Sequence, residues 1–90
     1  MNKYELTVCL DAKATPAKVK ALVSQVEKII TVFKGKVVEA KDWGVKDVFL
    51  KDGSLYFYHF LLELESGMVK GFSQKIKMEE GIKRQLLVKI

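Results

Sequence analysis

From Lys3 to Leu10 the chain alternates, with Tyr4, Leu6, Val8 and Leu10 on one side and Glu5, Thr7 and Cys9 on the other. A period of two with one apolar side predicts a half-buried strand. The period then changes. Val19, Leu22, Val23, Val26, Ile29, Ile30 and Phe33 recur at steps of three and one, the apolar stripe of a helix packed along one face. Thr15-Pro16 marks its start, a capping hydroxyl followed by proline at the first helical position. Gly35 is expected to end it, as a left-handed residue just past the last turn.

Gly35 to Leu50 reads as one long strand interrupted at Trp43-Gly44. Its β-branched and aromatic residues suit a pleated surface. A glycine in mid-strand points to a bulge or sharp bend. Trp43, the only tryptophan, is expected to plug one end of the core, and with Lys46 to border a docking surface at the bend. Asp52-Gly53 then predicts a hairpin. The next strand, Leu55 to Glu65, carries Tyr56, Tyr58, Phe60, Leu62 and Leu64 on one face and Leu55, Phe57, His59, Leu61 and Glu63 on the other. Ser66 is placed to cap a short second helix with Met68, Val69, Phe72 and Ile76 inward. Gly67 and Gly71 weaken it by up to about 1 kcal/mol each. After the Glu79-Glu80-Gly81 turn, Ile82 to Ile90 closes the chain as a strand, with Leu86 and Val88 expected inward and Gln85 and Leu87 outward.

The order βαββαβ, built from two crossovers and a central hairpin, predicts an α+β ferredoxin-like domain over residues 1–90. Its four-stranded antiparallel sheet carries both helices on one face. The other face is left bare, with Phe57, His59, Leu61 and Leu87 beside Thr7, Cys9 and Gln85. Apolar area of that kind on an uncovered face predicts a contact site.

Composition narrows the chemistry. In 90 residues, Lys+Arg 16 against Asp+Glu 11 gives a net charge of +5, a balance compatible with an anionic partner. The lone Cys9 excludes a disulfide framework, and no Cys/His spacing suggests a metal or cofactor. No apolar run reaches the roughly 18 residues of a membrane span. The N-terminus shows no signal-peptide pattern, and the lone cysteine makes a reducing, cytoplasmic location the expectation. His59, the only histidine, has no nucleophile and orienting group near it in sequence, and no catalytic set is expected. Arg84, the only arginine, is either a margin residue that snorkels to solvent or a fork for phosphate or carboxylate, which lysine cannot reproduce.

Several pieces in this order resemble the bacterial small-subunit ribosomal protein S-six family: Tyr4-Glu5, Gly35-Lys36-Val37 leading to Asp42-Trp43-Gly44, the aromatic third strand, and the ending Lys77 to Lys89 with its acidic turn and Arg84. The chain departs from the family in having only Lys46 in the run Val45-Lys46-Asp47 after Trp-Gly. It also lacks a hairpin proline and has Lys70-Gly71 in place of an acidic pair. The resemblance implies a structural, non-catalytic protein of the small ribosomal subunit, paired with ribosomal protein S-eighteen on the central domain of the small-subunit rRNA. It implies no membrane and no small-molecule substrate. The charges expected to meet phosphate are Lys3, Lys46, Arg84 and Lys89, and the surface expected to meet the partner is Trp43, Phe57 and His59. Three other readings share the element order. A ligand-sensing or oligomerising domain would use the bare face. A stand-alone RNA-recognition module would need a Lys/Arg-Gly-aromatic pattern that Ser54 to Phe60 lacks. An acylphosphatase-like enzyme would need an arginine near the first strand.

Overall fold

The computed structural model describes residues 2–47 and 53–90. Its elements are β1 (Asn2–Asp11), α1 (Pro16–Val32), β2 (Lys36–Asp47), β3 (Ser54–Leu64), a 3₁₀ turn (Ser66–Met68), α2 (Val69–Lys77) and β4 (Arg84–Lys89). The sheet order is β2-β3-β1-β4 and each neighbouring pair is antiparallel. This is the ferredoxin-like α+β arrangement expected from the βαββαβ order. The far end of the long second strand, 48–50, and Asp52 of the expected hairpin turn lie outside the described residues. Gly53, the other half of that turn, has φ +71°.

One hydrophobic core joins the layers. Tyr4, Leu6, Val8 and Leu10 of β1 and Phe60, Leu62 and Leu64 of β3 meet Val19, Leu22, Val26, Ile29 and Ile30 of α1 and Phe72 and Ile76 of α2. Both helices therefore cover one face of the sheet. The α1 stripe is the one its periodicity dictates, and the Thr15 hydroxyl accepts the Lys18 N–H at 3.2 Å, so the cap forms as expected. Phe60 and Phe72 are fully enclosed, each contributing roughly 1.5–3 kcal/mol by leaving water. Phe33 meets Phe72 edge to face at 6.1 Å between ring centroids and ties the two helices together.

Several local expectations are corrected. The helix α1 ends in a Schellman motif whose left-handed residue is Lys34 (φ +62°), not Gly35. The Lys34 N–H donates to the Thr31 carbonyl at 2.9 Å and the Gly35 N–H to the Ile30 carbonyl at 2.8 Å. Gly35 is needed for space. A Cβ there would lie 2.8 Å from the Glu63 carbonyl oxygen, where the chain leaves the helix beneath the end of β3. Ser66 makes no capping bond and lies in the 3₁₀ turn, α2 starts three residues later, and Met68 is exposed. The shortness of α2 is as expected, and Gly71 in it faces Phe33, whose ring would be 3.0 Å from an added Cβ.

The largest correction concerns β4. It spans Arg84–Lys89, and its pairing with β1 puts Leu87 opposite Leu6 and Gln85 opposite Val8. Leu87 and Gln85 thus face the helices, while Leu86 (61% exposed) and Val88 (46%) lie on the bare face with Arg84. Ile82, still inward, precedes the strand. A stretch that is aliphatic on both faces, Leu86-Leu87-Val88, carries no decisive alternation, so the ladder chooses its orientation.

Candidate functional site

The bare face is organised by the bend in β2. Two register shifts interrupt its pairing with β3, one at Val38 and one at Trp43. Gly44 has φ +74°, the left-handed geometry that admits an extra residue in a bulge. Asp42 fastens the bend from the helix-covered side. One carboxylate oxygen accepts the Gly44 N–H at 2.9 Å and the other accepts the Tyr56 hydroxyl. That bond pushes the Tyr56 pKa up to about 12, with burial and the negative charge of Asp42 acting the same way. Tyr58 is also raised, first by burial and then by the same carboxylate.

The bulge turns Trp43 onto the bare face. There it stacks on His59, with 4.6 Å between ring centroids and 9° between planes. Trp43 is 44% exposed, so it is not the expected core plug; the core closes without it. His59 Nε2 lies 3.8 Å from a Glu5 carboxylate oxygen, and the Lys46 ammonium sits 6.0 Å above the Trp43 ring. Phe57, opposite Cys9 and Gly44 in the ladders, continues the apolar surface. Trp43, Phe57 and His59 are therefore brought together on one face.

The four predicted phosphate-binding cations are not. Lys46 and Arg84 lie on the bare face at the end of the sheet where β1 finishes, on its two opposite edge strands. Lys3 occupies the bare face at the other end, opposite Glu63. Lys89, opposite Tyr4, lies on the helix-covered side of the sheet. Along β1, from Lys3 and Tyr4 to the levels of Cys9 and Asp11, the two ends are about 17–27 Å apart at ~3.4 Å per residue.

Two groups of residues went unassigned in the sequence. Asp42 stood inside the Trp-Gly motif, but its two bonds depend on Tyr56 in the next strand. Lys77 and Lys83 join Arg84 around a cleft of about 680 Å³ with Phe57, Trp43 and Leu86 among its walls. No sequence spacing links the end of α2 to the start of β4 in that way. Among the described residues, no helix is long and apolar enough to cross a membrane.

Comparison with known proteins gives these features a family. The family model for ribosomal protein S6 matches residues 3–89. The small ribosomal subunit protein bS6 of Lactobacillus acidophilus is 30% identical over 95 residues, covering 99% of this chain and 95% of that protein. The bS6 protein of Pelagibacter ubique is 25% identical over 93 residues, covering 100% of this chain and 77% of that protein. In fold, the crystal structure of 30S ribosomal protein S6 from Thermotoga maritima superposes with a TM-score of 0.89 at 16% identity, covering 99% of this chain and 87% of that one. With a family match from β1 through β4, relatives that align with 99–100% of this chain and the same fold, the chain belongs to the ribosomal protein S6 family, structural proteins of the small ribosomal subunit.

Proposed function

We propose that this chain, located with the ribosome in the cytoplasm, binds the central domain of the small-subunit rRNA jointly with ribosomal protein S-eighteen, and does so without catalysis. The observation that carries the reading is the family match over residues 3–89. The net charge of +5 supports the RNA part. The solvent-facing apolar surface of the sheet supports the protein part, because contiguous exposed apolar area marks interaction sites.

Lys3 and Lys89 contact phosphate from opposite faces at one end of the sheet, and Lys46 and Arg84 from its two edges at the other. Trp43, Phe57 and His59 between them face the partner protein. The stack on His59 fixes the Trp43 ring before binding, so little side-chain freedom is lost when the partner arrives. With about three or four phosphates engaged, affinity is mostly electrostatic, and the log–log salt slope is expected at roughly −2 to −4.

Titration of labelled central-domain rRNA at several salt concentrations, with and without S-eighteen, tests this. Arg84→Ala should weaken binding and flatten the slope by about one unit, with no change in preference among RNAs of one shape. Arg84→Lys should restore only part of the loss, because the planar fork is missing. Tight binding by the isolated chain that ignores salt would refute the reading.

A further inference from the structure

The cleft of about 680 Å³ lies where β1 ends and β4 begins, walled from the bare face by Phe57, Trp43 and Leu86 and from the helix-covered side by Lys77, Ile82 and Gln85. Its floor and walls include Phe57, Trp43, Leu86 and the buried Cys9 and Leu55. Its rim carries Lys77 from the last turn of α2, Lys83 from the connector and Arg84 from the first position of β4. None of the described residues lining it is a carboxylate. Asp11 touches only the edge of this group, 3.7 Å from the Lys83 ammonium. The size falls within the ~300–1,000 Å³ of clefts that hold small organic groups.

We propose that this cleft holds one unpaired nucleotide of the bound RNA, its base against Phe57 and its flanking phosphates on Lys77, Lys83 and Arg84. This rests on the rRNA-binding reading and adds Lys77 and Lys83 to its contacts. Three cations drawn from three separate segments around an aromatic floor suit a nucleotide. A base has an apolar face to stack on an aromatic ring, and its phosphates carry negative charge to the three cations. A duplex cannot present such a base, since its bases are paired and stacked inside. The partner protein then takes the Trp43–His59 half of the face, with Phe57 at the boundary between the two.

The full chain offers its own probe, because Trp43 is the only tryptophan and lines the cleft. Its fluorescence is followed while a five-nucleotide oligoadenylate is added at several salt concentrations. The expected result is saturable binding with a log–log slope near −2, from three phosphate contacts at about 0.7 each for a single strand. Lys77→Gln and Lys83→Gln should each reduce that slope by about 0.7. Phe57→Leu should weaken binding by roughly 5- to 100-fold and leave the slope unchanged, because stacking is not electrostatic. Lys77, at the exposed end of α2, keeps the test standing if the Phe57 variant does not fold. Equal binding of a duplex of the same length, or a slope unaffected by Lys77→Gln, overturns the proposal. So does tighter binding of a peptide with phenylalanine between two glutamates, which reassigns the cleft to protein. The same variants are assayed on central-domain rRNA with S-eighteen. Intact assembly there, with no effect of any variant on the oligonucleotide, removes the nucleotide site and leaves the ribosomal reading in place.

Discussion

Gly35 and Gly44 resist substitution for opposite reasons, and variants at the two positions separate them. Gly44 has φ +74°, and a Cβ added there would meet nothing within 4 Å. Its requirement is purely one of backbone conformation. Gly44→Ala should cost about 1 kcal/mol, the left-handed penalty of about 1–2 kcal/mol less the gain from a stiffer unfolded chain. Gly44→Asn should cost less, since asparagine tolerates that region, and Gly44→Val more. Gly35 lies outside the left-handed region, and its Cβ would meet the Glu63 carbonyl oxygen at 2.8 Å, Ile30 Cγ2 at 3.0 Å and Leu64 Cδ1 at 3.1 Å. Ile30 and Leu64 are fully buried and the oxygen is main chain, so none of the three can move aside cheaply. Gly35→Ala should therefore fall in the upper half of the overpacking range, about 2–3 kcal/mol. Gly35→Asn should be at least as damaging. With an m-value of roughly 1–3 kcal/mol/M in urea, the Gly35→Ala midpoint should drop by about 0.7–3 M. Urea denaturation of the alanine and asparagine variants at both positions settles the matter. A Gly35→Ala midpoint equal to that of the parent, or asparagine milder than alanine at position 35, would refute the steric argument.

Lys34→Gly should stabilise by up to about 1 kcal/mol, since glycine removes the left-handed penalty at φ +62°; a lower melting temperature would contradict it. In a spectrophotometric titration of tyrosine ionisation, Tyr56 should be among the last to ionise, near the value of about 12 set by its bond to Asp42. Because its pKa is raised on folding, the bond's contribution to stability is complete below pH ~10 and is lost as pH rises towards about 12. Tyr56→Phe should reduce the alkaline sensitivity, leaving the part that comes from Tyr58, whose pKa is also raised by burial. The Gln85 side-chain carbonyl is buried and has no hydrogen-bond partner among the described residues, while its amide donates to the Ser73 carbonyl at 3.3 Å. Gln85→Met should therefore be neutral or stabilising by thermal melt, as the unsatisfied group disappears.

Element order, the α1 stripe with its Thr15-Pro16 start, and the inward faces of β1 and β3 could all be read from the residues alone. Each of these is local: a period of two or 3.6, or a cap defined by adjacent residues, is complete within one segment. The Trp-Gly bulge was legible for the same reason, because a mid-strand glycine has few uses. Long-range packing decided the outcome where local patterns were degenerate or partners were distant. Leu86-Leu87-Val88 could have faced either way until pairing with β1 fixed it. The left-handed position fell on Lys34 because Gly35 had to pass beneath the Glu63 carbonyl, a contact with a strand well separated in the chain. Asp42 found its role through Tyr56, and Trp43 found His59 rather than the core. The cations named along the chain were divided between the two ends and two sides of the sheet. Lys77 and Lys83, unremarkable in sequence, came to share a cleft with Arg84. Charge can be counted along a chain, but which charges act together depends on strand order and register, and those are set between segments rather than within them.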